Sequence, residues 1–353
     1  MSRFLLVVPP LPGHIAPLRG VADALTARGH EVAWAGVGEV FPCDTDDFHP
    51  ASFHRPSLRG AAALKFLVED YLVPLAQRME PGVTAAIKTF EPDLVVVDQQ
   101  TYAGAFAADR LGVPWVTSAS TTTELTDPYP PKIEEWLLSR LTELGGFDPR
   151  FSPSLVLAYS SAELTGPVSR PVSFVGPMLP PCSPSPVDPP LVFVTLGTVN
   201  DGIGGRFLNE CVSALASRDV RAVVVDPGGH LGPVPPNVVV APHVDQLAVL
   251  ASASLVICHG GHNTVCETLW HGLPLVVAPI RDDQQVVAGQ VAASGAGVRL
   301  RFAHATAAQI GAAVDELLVS PSFLAAAQRI QRSFLDAGGA AAAVGLLEGL
   351  ISA

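Results

Sequence analysis

A chain of 353 residues has room for two domains, and 48% hydrophobic against 15% charged residues gives each a substantial core. That balance, with a mean hydropathy of +0.36, excludes a disordered chain. A formal charge of −12, with no basic run anywhere, excludes a nucleic-acid partner, which would need a cationic stripe.

The first residues, Met1-Ser-Arg-Phe-Leu-Leu-Val-Val-Pro-Pro, form an apolar run that Pro9 and Pro10 stop before it reaches the length of a secretion signal. No stretch approaches the roughly 18 uninterrupted apolar residues of a spanning helix, so no integral membrane association is expected. The cysteines, Cys43, Cys182, Cys211, Cys258 and Cys266, are odd in number and scattered without a C-x-x-C spacing. They read as thiols of a cytoplasmic protein rather than a disulfide framework or a zinc site.

In chain order, Phe4–Val8 is an apolar run of strand length. Leu18, Val21, Ala22 and Leu25 then fall on one helical face, ended by Gly29. Glu31–Ala35 resumes as strand. Leu94–Val97 is another, followed by a helix over Tyr102–Leu111 and a strand at Trp115–Ser118. Continuous rather than alternating apolar strands, separated by helices, predict an α/β fold with parallel sheets buried on both faces. Gly176–Pro190 is too rich in proline for helix or central strand and reads as a stiff linker. Beyond it the alternation restarts with Leu191–Leu196, Ala222–Val225, Val238–Val240, Leu255–Cys258, Leu275–Ala278 and Val298–Leu300. It closes on an amphipathic helix through Val344, Leu347, Leu350 and Ile351. The expected organisation is a first doubly wound domain over residues 1–175, a linker over 176–190, and a second over 191–353 that includes the last helix.

Doubly wound sheets bind ligands beyond the carboxyl ends of their strands, and that rule selects the chemistry. His14 follows the first strand just before a helix, and Asp98 ends the strand Leu94–Val97, so both belong to one sheet edge. A histidine oriented by a carboxylate is a general base near neutral pH; a helix-start hydrogen bond and a capping aspartate would equally occupy these positions. In the second half, His259-Gly-Gly-His-Asn-Thr264 leads from a strand into a helix whose first N–H groups face an anion. His259, Asn263 and Thr264 add donors suited to a diphosphate, and Glu267 is an acceptor for ribose hydroxyls; a tight turn capped by Thr264 is the plainer alternative. Asp283 and Gln284, after the next strand, offer acceptors and a donor to sugar hydroxyls, or form a solvated loop. Gly197 and Thr198 end the first strand of this half. The chain lacks both a P-loop lysine and a G-x-G-x-x-G element, which disfavours ATP and nicotinamide cofactors.

Taken together, these segments resemble the nucleotide-sugar glycosyltransferases of the GT-B fold, specifically the antibiotic and macrolide enzymes. The matching signatures are Gly13-His-Ile-Ala-Pro17, His259-Gly-Gly-His-Asn-Thr-Val-Cys-Glu267 and Pro279-Ile-Arg-Asp-Asp-Gln284, the last continuing to Gly295-Ala-Gly297. The resemblance implies two Rossmann-like domains with parallel sheets facing across a cleft, the first for the acceptor and the second for the donor. It implies inverting transfer from a UDP- or dTDP-sugar to a hydroxyl, less readily a carbon, of a small-molecule natural product. His14 would be the base and Asp98 its partner. Thr198, His259, Gly261, Asn263 and Thr264 would hold the diphosphate, Glu267 the ribose, Val244 the base ring, and Asp283 with Gln284 the sugar. No metal or other cofactor is implied, because the helix dipole and phosphate donors stabilise the leaving group. The expected assembly is a monomer or homodimer.

The chain departs from the family in a first domain that looks short, in Asp245 where proline is common, and in Val287 where asparagine is frequent. The same fold also hosts nucleotide-sugar 2-epimerases and lipid-acceptor glycosyltransferases, for which the apolar stretch Phe66–Val73 is the one candidate docking segment. A further alternative is an inactive nucleotide-sugar-binding accessory protein, disfavoured by the presence of both His14 and Asp98.

Overall fold

The computed structural model describes residues 1–38, 40–48, 58, 60–185, 187–197 and 203–352. The chain divides into two compact units, residues 1–160 with 168–178 and 337–353, and residues 161–167 with 179–336.

The first unit is built on the strands β1 (Arg3–Val7), β2 (Glu31–Ala35), β3 (Leu94–Asp98), β4 (Trp115–Ala119), β5 (Val156–Ala158) and β6 (Ser173–Phe174). They pair in the order β2-β1-β3-β4-β5-β6, every pair parallel. Strand periodicity divides the apolar runs between two layers. Phe4, Leu6, Leu94 and Val96 pack with Leu18, Val21 and Leu25 of the helix Pro12–Ala27. Leu5, Val7, Val95 and Val97 pack with Leu75, Met79 and Val83 of the helix Val73–Phe90 on the other face. Neither face of the central strands meets water, which is why no polar alternation marks them.

The second unit carries β7 (Leu191–Thr195), β8 (Arg221–Val225), β9 (Val238–Ala241), β10 (Leu255–Cys258), β11 (Leu275–Val277) and β12 (Gly297–Arg299). These form a second parallel sheet in the order β12-β11-β10-β7-β8-β9. In both sheets the chain first winds to one side of its first strand and then crosses to the other. The order therefore reverses between β1 and β3 in the first unit and between β7 and β10 in the second, opening a crevice at each carboxyl edge.

Two segments cross the division expected from the sequence. The short helix Ala162–Thr165 packs in the second unit: Leu164 joins its core, Thr165 O accepts from Gln290 Nε2 at 3.4 Å, and Ser333 Oγ donates to Ser161 Oγ at 2.7 Å. The last helix, Gly339–Ile351, was expected in the second domain but packs in the first. Ala343, Val344 and Leu347 are fully buried against the helix face of Leu18 and Leu25. Glu348 on it accepts from Arg28 at 2.6 Å and pairs with His30 Nε2 at 2.9 Å. The crossing happens at Gly338 and Gly339, whose φ values of +83° and +58° break the apolar span Pro321–Ile351 into two helices. The proline-rich segment forms no helix or strand, yet it is tied down: Met178 packs in the first unit, and Pro180 O accepts from Trp270 Nε1 at 2.9 Å in the second.

The stretch Phe66–Val73 is helical, and Val68, Tyr71, Leu72 and Val73 are buried in the first unit's core. Its apolar character thus serves packing rather than an exposed docking patch. Leu347→Ala is expected to cost about 2–5 kcal/mol of stability, the range for truncating a fully buried leucine. Urea unfolding checks this; an unchanged midpoint would contradict the assignment of the last helix to the first core.

Candidate active site

His14 does not precede its helix but sits in the first turn. Pro12 takes the first helical position, where its missing N–H costs nothing, and Leu11 is the extended N-cap. The reversal of strand order at β1 and β3 brings the end of β3 beside this turn. Asp98, its side chain fully buried, places both carboxylate oxygens 3.0 Å from His14 Nδ1. The carboxylate also accepts from the Gln100 N–H at 2.9 Å. Because an ionised carboxylate only accepts, this geometry puts the imidazole proton on Nδ1 and the lone pair on Nε2. That is the tautomer a base needs.

A third group joins them. Ser120, just beyond β4, lies with Oγ 2.8 Å from His14 Nδ1. The register Asp98↔Ser118 between β3 and β4 brings it there. Reading the sequence by strand ends overlooked it, because a serine two residues past an apolar run resembles any turn serine.

In the second unit the turn His259–Gly261 fills the crevice between β10 and β7. The His259 ring is enclosed between glycines: a Cβ on Gly197 would lie 2.8 Å from its Nε2, and one on Gly261 would lie 2.5 Å from the same atom. Gly260 has a φ of +85°, and a Cβ there would meet Val277 at 2.8 Å. No other residue fits that approach. Gly261 is the N-cap of the helix His262–Trp270 and supplies no side-chain acceptor, so the first-turn N–H groups of His262, Asn263 and Thr264 face the turn. Burial, then the nearby charge of Arg281, lowers the His259 pKa to about 4. Its ring is therefore neutral at pH 7. Its Nδ1 is buried without a hydrogen-bond partner among the described residues.

Glu267, one turn further, receives a short hydrogen bond from Gln246 Nε2. Burial raises its pKa, and that bond partly offsets the rise. Gln246, like Ser120, was not singled out in the sequence; only its contact with a named acid reveals it. Val244, beside it, packs on the rim of the core, and Asp245 caps the helix Gln246–Ser252 by accepting from Ala248 N–H at 3.2 Å. The residue that departs from the common proline thus has a structural task. Gln284 is buried, and its Oε1 accepts the N–H groups of Ile280 at 2.9 Å and Arg281 at 3.1 Å. Its acceptor end braces the loop, which leaves only the amide donor for a sugar hydroxyl. Asp283 occupies the N-cap position of the helix Gln284–Ala293 without a side-chain cap bond. Val287 lies in the core. Thr198 lies outside the described residues.

Each unit therefore carries one group of the sequence-selected residues at its crevice: His14 with Asp98 in the first, and Gly197, His259, Gly261, Asn263 and Thr264 in the second. Residues 209–347 match the family model for the C-terminal domain of erythromycin biosynthesis protein CIII-like proteins. The chain is 28% identical to 4'-demethylrebeccamycin synthase of Lentzea aerocolonigenes, over 99% of this chain and 100% of the relative. That alignment spans 423 positions, so the relative carries segments this chain lacks. Identity to the demethyllactenocin mycarosyltransferase of Streptomyces fradiae is also 28%, over 100% of this chain and 87% of the relative. The solved spinosyn rhamnosyltransferase SpnG superposes with a TM-score of 0.78 at 23% identity, over 98% of this chain and 100% of that one. The protein is a glycosyltransferase of the GT-B fold. Within that class it is similar to antibiotic and macrolide glycosyltransferases, with a match to the EryCIII-like C-terminal domain over residues 209–347.

The depressed His259 pKa fixes a pH dependence. Between about pH 6.5 and pH 4 the unfolded chain binds this proton and the folded one does not, so stability falls as pH is lowered through that window. The loss reaches about 3 kcal/mol. Unfolding of the wild type and of His259→Asn across this range checks it; the variant is expected to lose that part of the slope.

Proposed function

We propose that the protein transfers a sugar, with inversion, from a UDP- or dTDP-sugar to a hydroxyl of a small-molecule natural product. The observation that carries this reading is the His14–Asp98 pair at the crevice of the first unit, with the lone pair directed to Nε2. Nε2 takes the proton of the acceptor hydroxyl, and the oxygen attacks the anomeric carbon. The bond from that carbon to the diphosphate oxygen breaks, and the nucleoside diphosphate leaves with the electron pair. Asp98, buried and anionic, holds the ring and offsets the positive charge it gains. A carbon nucleophile is the less favoured acceptor, because a hydroxyl needs only this one proton removed.

On the donor side, His259, the first-turn N–H groups of the helix His262–Trp270, Asn263 and Thr264 take the diphosphate, and Glu267, braced by Gln246, takes the ribose. Val244 borders the base ring, and Asp283 with the Gln284 amide reads the sugar. Support comes from SpnG, whose solved complexes contain thymidine diphosphate and spinosyn aglycone. A divalent ion has no part in this mechanism, since the helix terminus and its donors face the charge that develops on the leaving group. The cysteines Cys43, Cys182, Cys211, Cys258 and Cys266 form no disulfide among the described residues, which suits a cytoplasmic setting.

Nucleotide release from UDP- and dTDP-sugars, followed with and without an aglycone panel and read by mass spectrometry, tests the reaction. Release without any glycosylated product would point to an epimerase or hydrolase instead. His14→Ala is expected to lower kcat by about 10²–10⁴-fold with donor binding retained. Asp98→Asn should show a smaller loss of the same kind. A folded His14→Ala enzyme with wild-type turnover would remove the base from the mechanism. Activity is expected to survive EDTA, and restoration of lost activity by magnesium or manganese would contradict the metal-free scheme.

A further inference from the structure

We propose that Gln99 is an acceptor-recognition residue: its side-chain amide, with the Thr101 hydroxyl of the same loop, binds a polar edge of the acceptor that carries a hydrogen-bond donor and an acceptor side by side, as a lactam does. The inference rests on the transferase reading above. Both residues belong to the loop that leaves β3 directly after Asp98, and three bonds hold that loop on the strand end. Gln99 N–H donates to Ser118 O at 3.0 Å, Gln100 N–H to Asp98 Oδ1 at 2.9 Å, and Thr101 N–H to Asp98 O at 2.8 Å. The same carboxylate anchors His14 Nδ1, so the loop and the base share one support.

Gln99 and Thr101 are each only 1% exposed. Gln99 Nε2, Gln99 Oε1 and Thr101 Oγ1 nevertheless have no hydrogen-bond partner among the described residues. Strand alternation gives the reason for Gln99. It continues the row of Val95 and Val97, which pack with Leu75 and Met79 in an apolar layer, whereas Asp98 turns the other way to His14. Its N–H bond to Ser118 O sets Ala119 of β4 beside it, a side chain with nothing to donate or accept. Thr101 holds the N-cap position of the helix Tyr102–Leu111, yet its hydroxyl makes no capping bond. A buried amide or hydroxyl left unpaired destabilises the fold that carries it. Methionine and valine would fill the same volumes without that penalty. Three such atoms within three residues, beside the carboxylate that anchors the base, are the mark of a site completed by a ligand. The carboxamide names the chemistry: its donor and acceptor lie in one plane and match a group that offers the opposite pair in the same plane.

Two acceptors of one shape test this. 7-Hydroxy-2-quinolone carries a phenolic hydroxyl and a lactam, and 7-hydroxycoumarin has oxygen in place of the lactam N–H. With the full chain and a UDP- or dTDP-sugar, the wild type is expected to favour the quinolone in kcat/KM by about ten- to a hundredfold, the equivalent of one or two hydrogen bonds. Gln99→Met is expected to erase that preference through KM, and Thr101→Val to reduce it. Both variants are expected to keep the urea midpoint of the ligand-free protein, because each replaces an unpaired polar group by an apolar one of similar shape. A midpoint lowered in either variant shows a partner within the fold and overturns the role of that residue. Equal kcat/KM for the two acceptors in the wild type, or a preference that survives Gln99→Met, overturns the assignment. A wild type that glycosylates other aglycones but neither of these overturns the inference alone, whereas one that glycosylates no aglycone overturns the functional reading together with it.

Discussion

A parallel strand must be re-entered from the same end, so every connection crosses a face of the sheet, and right-handed crossovers fix which face. When the chain reverses its winding direction, two neighbouring strands send their following loops to opposite faces. The gap between those loops is left uncovered. In this protein that constraint acts twice, between β1 and β3 and between β7 and β10. The residues that leave those strands are His14 and Asp98 in one sheet and Gly197 and His259 in the other. Their encounters, 3.0 Å between Nδ1 and the carboxylate and van der Waals contact between ring and glycine, follow from strand order before any side-chain preference acts.

The two crevices treat charge in opposite ways. In the first, a fully buried carboxylate is retained by giving it an imidazole N–H and a backbone N–H, so that a basic ring is anchored. In the second, the histidine is denied its charge by burial and by a neighbouring guanidinium, and the anion-facing elements are backbone dipoles. One arrangement fixes the orientation of a ring; the other keeps a ring as a neutral hydrogen-bonding surface. The same residue type thus takes contrary surroundings within one chain, a carboxylate beside one ring and a cation near the other.

Much of this was legible in the sequence because the central strands are buried on both faces. Leu255–Cys258 was read with its observed limits, Phe4–Val8 is shifted by one residue at each end, and Leu94–Val97 stops one residue short. Strand ends then located His14, Asp98 and the His259 turn. What sequence could not supply was lateral order. Ser120 matters because β4 lies beside β3, and Gln246 because its helix packs near Glu267; neither adjacency is written in local pattern. Gln284 was read as a sugar ligand from its side-chain chemistry, yet its carbonyl oxygen faces two backbone N–H groups of its own loop. The helices Ala162–Thr165 and Gly339–Ile351 were assigned by position along the chain, whereas their apolar faces match cores on the far side of the division.

That return of the last helix bears on how the molecule is made. The amide of Ser2 donates to His30 Nδ1, and the opposite nitrogen of that ring pairs with Glu348. The start of the first strand and the final helix are therefore joined through one imidazole. A ribosome delivers residues 179–336, enough to complete the second sheet, before it delivers Val344 and Leu347. Until then the helix Pro12–Ala27 has the sheet on one side but lacks the part of its cover that Ala343, Val344 and Leu347 supply. The unit that is synthesised first is thus the one that closes last, and during elongation its apolar flank is the surface a chaperone would find.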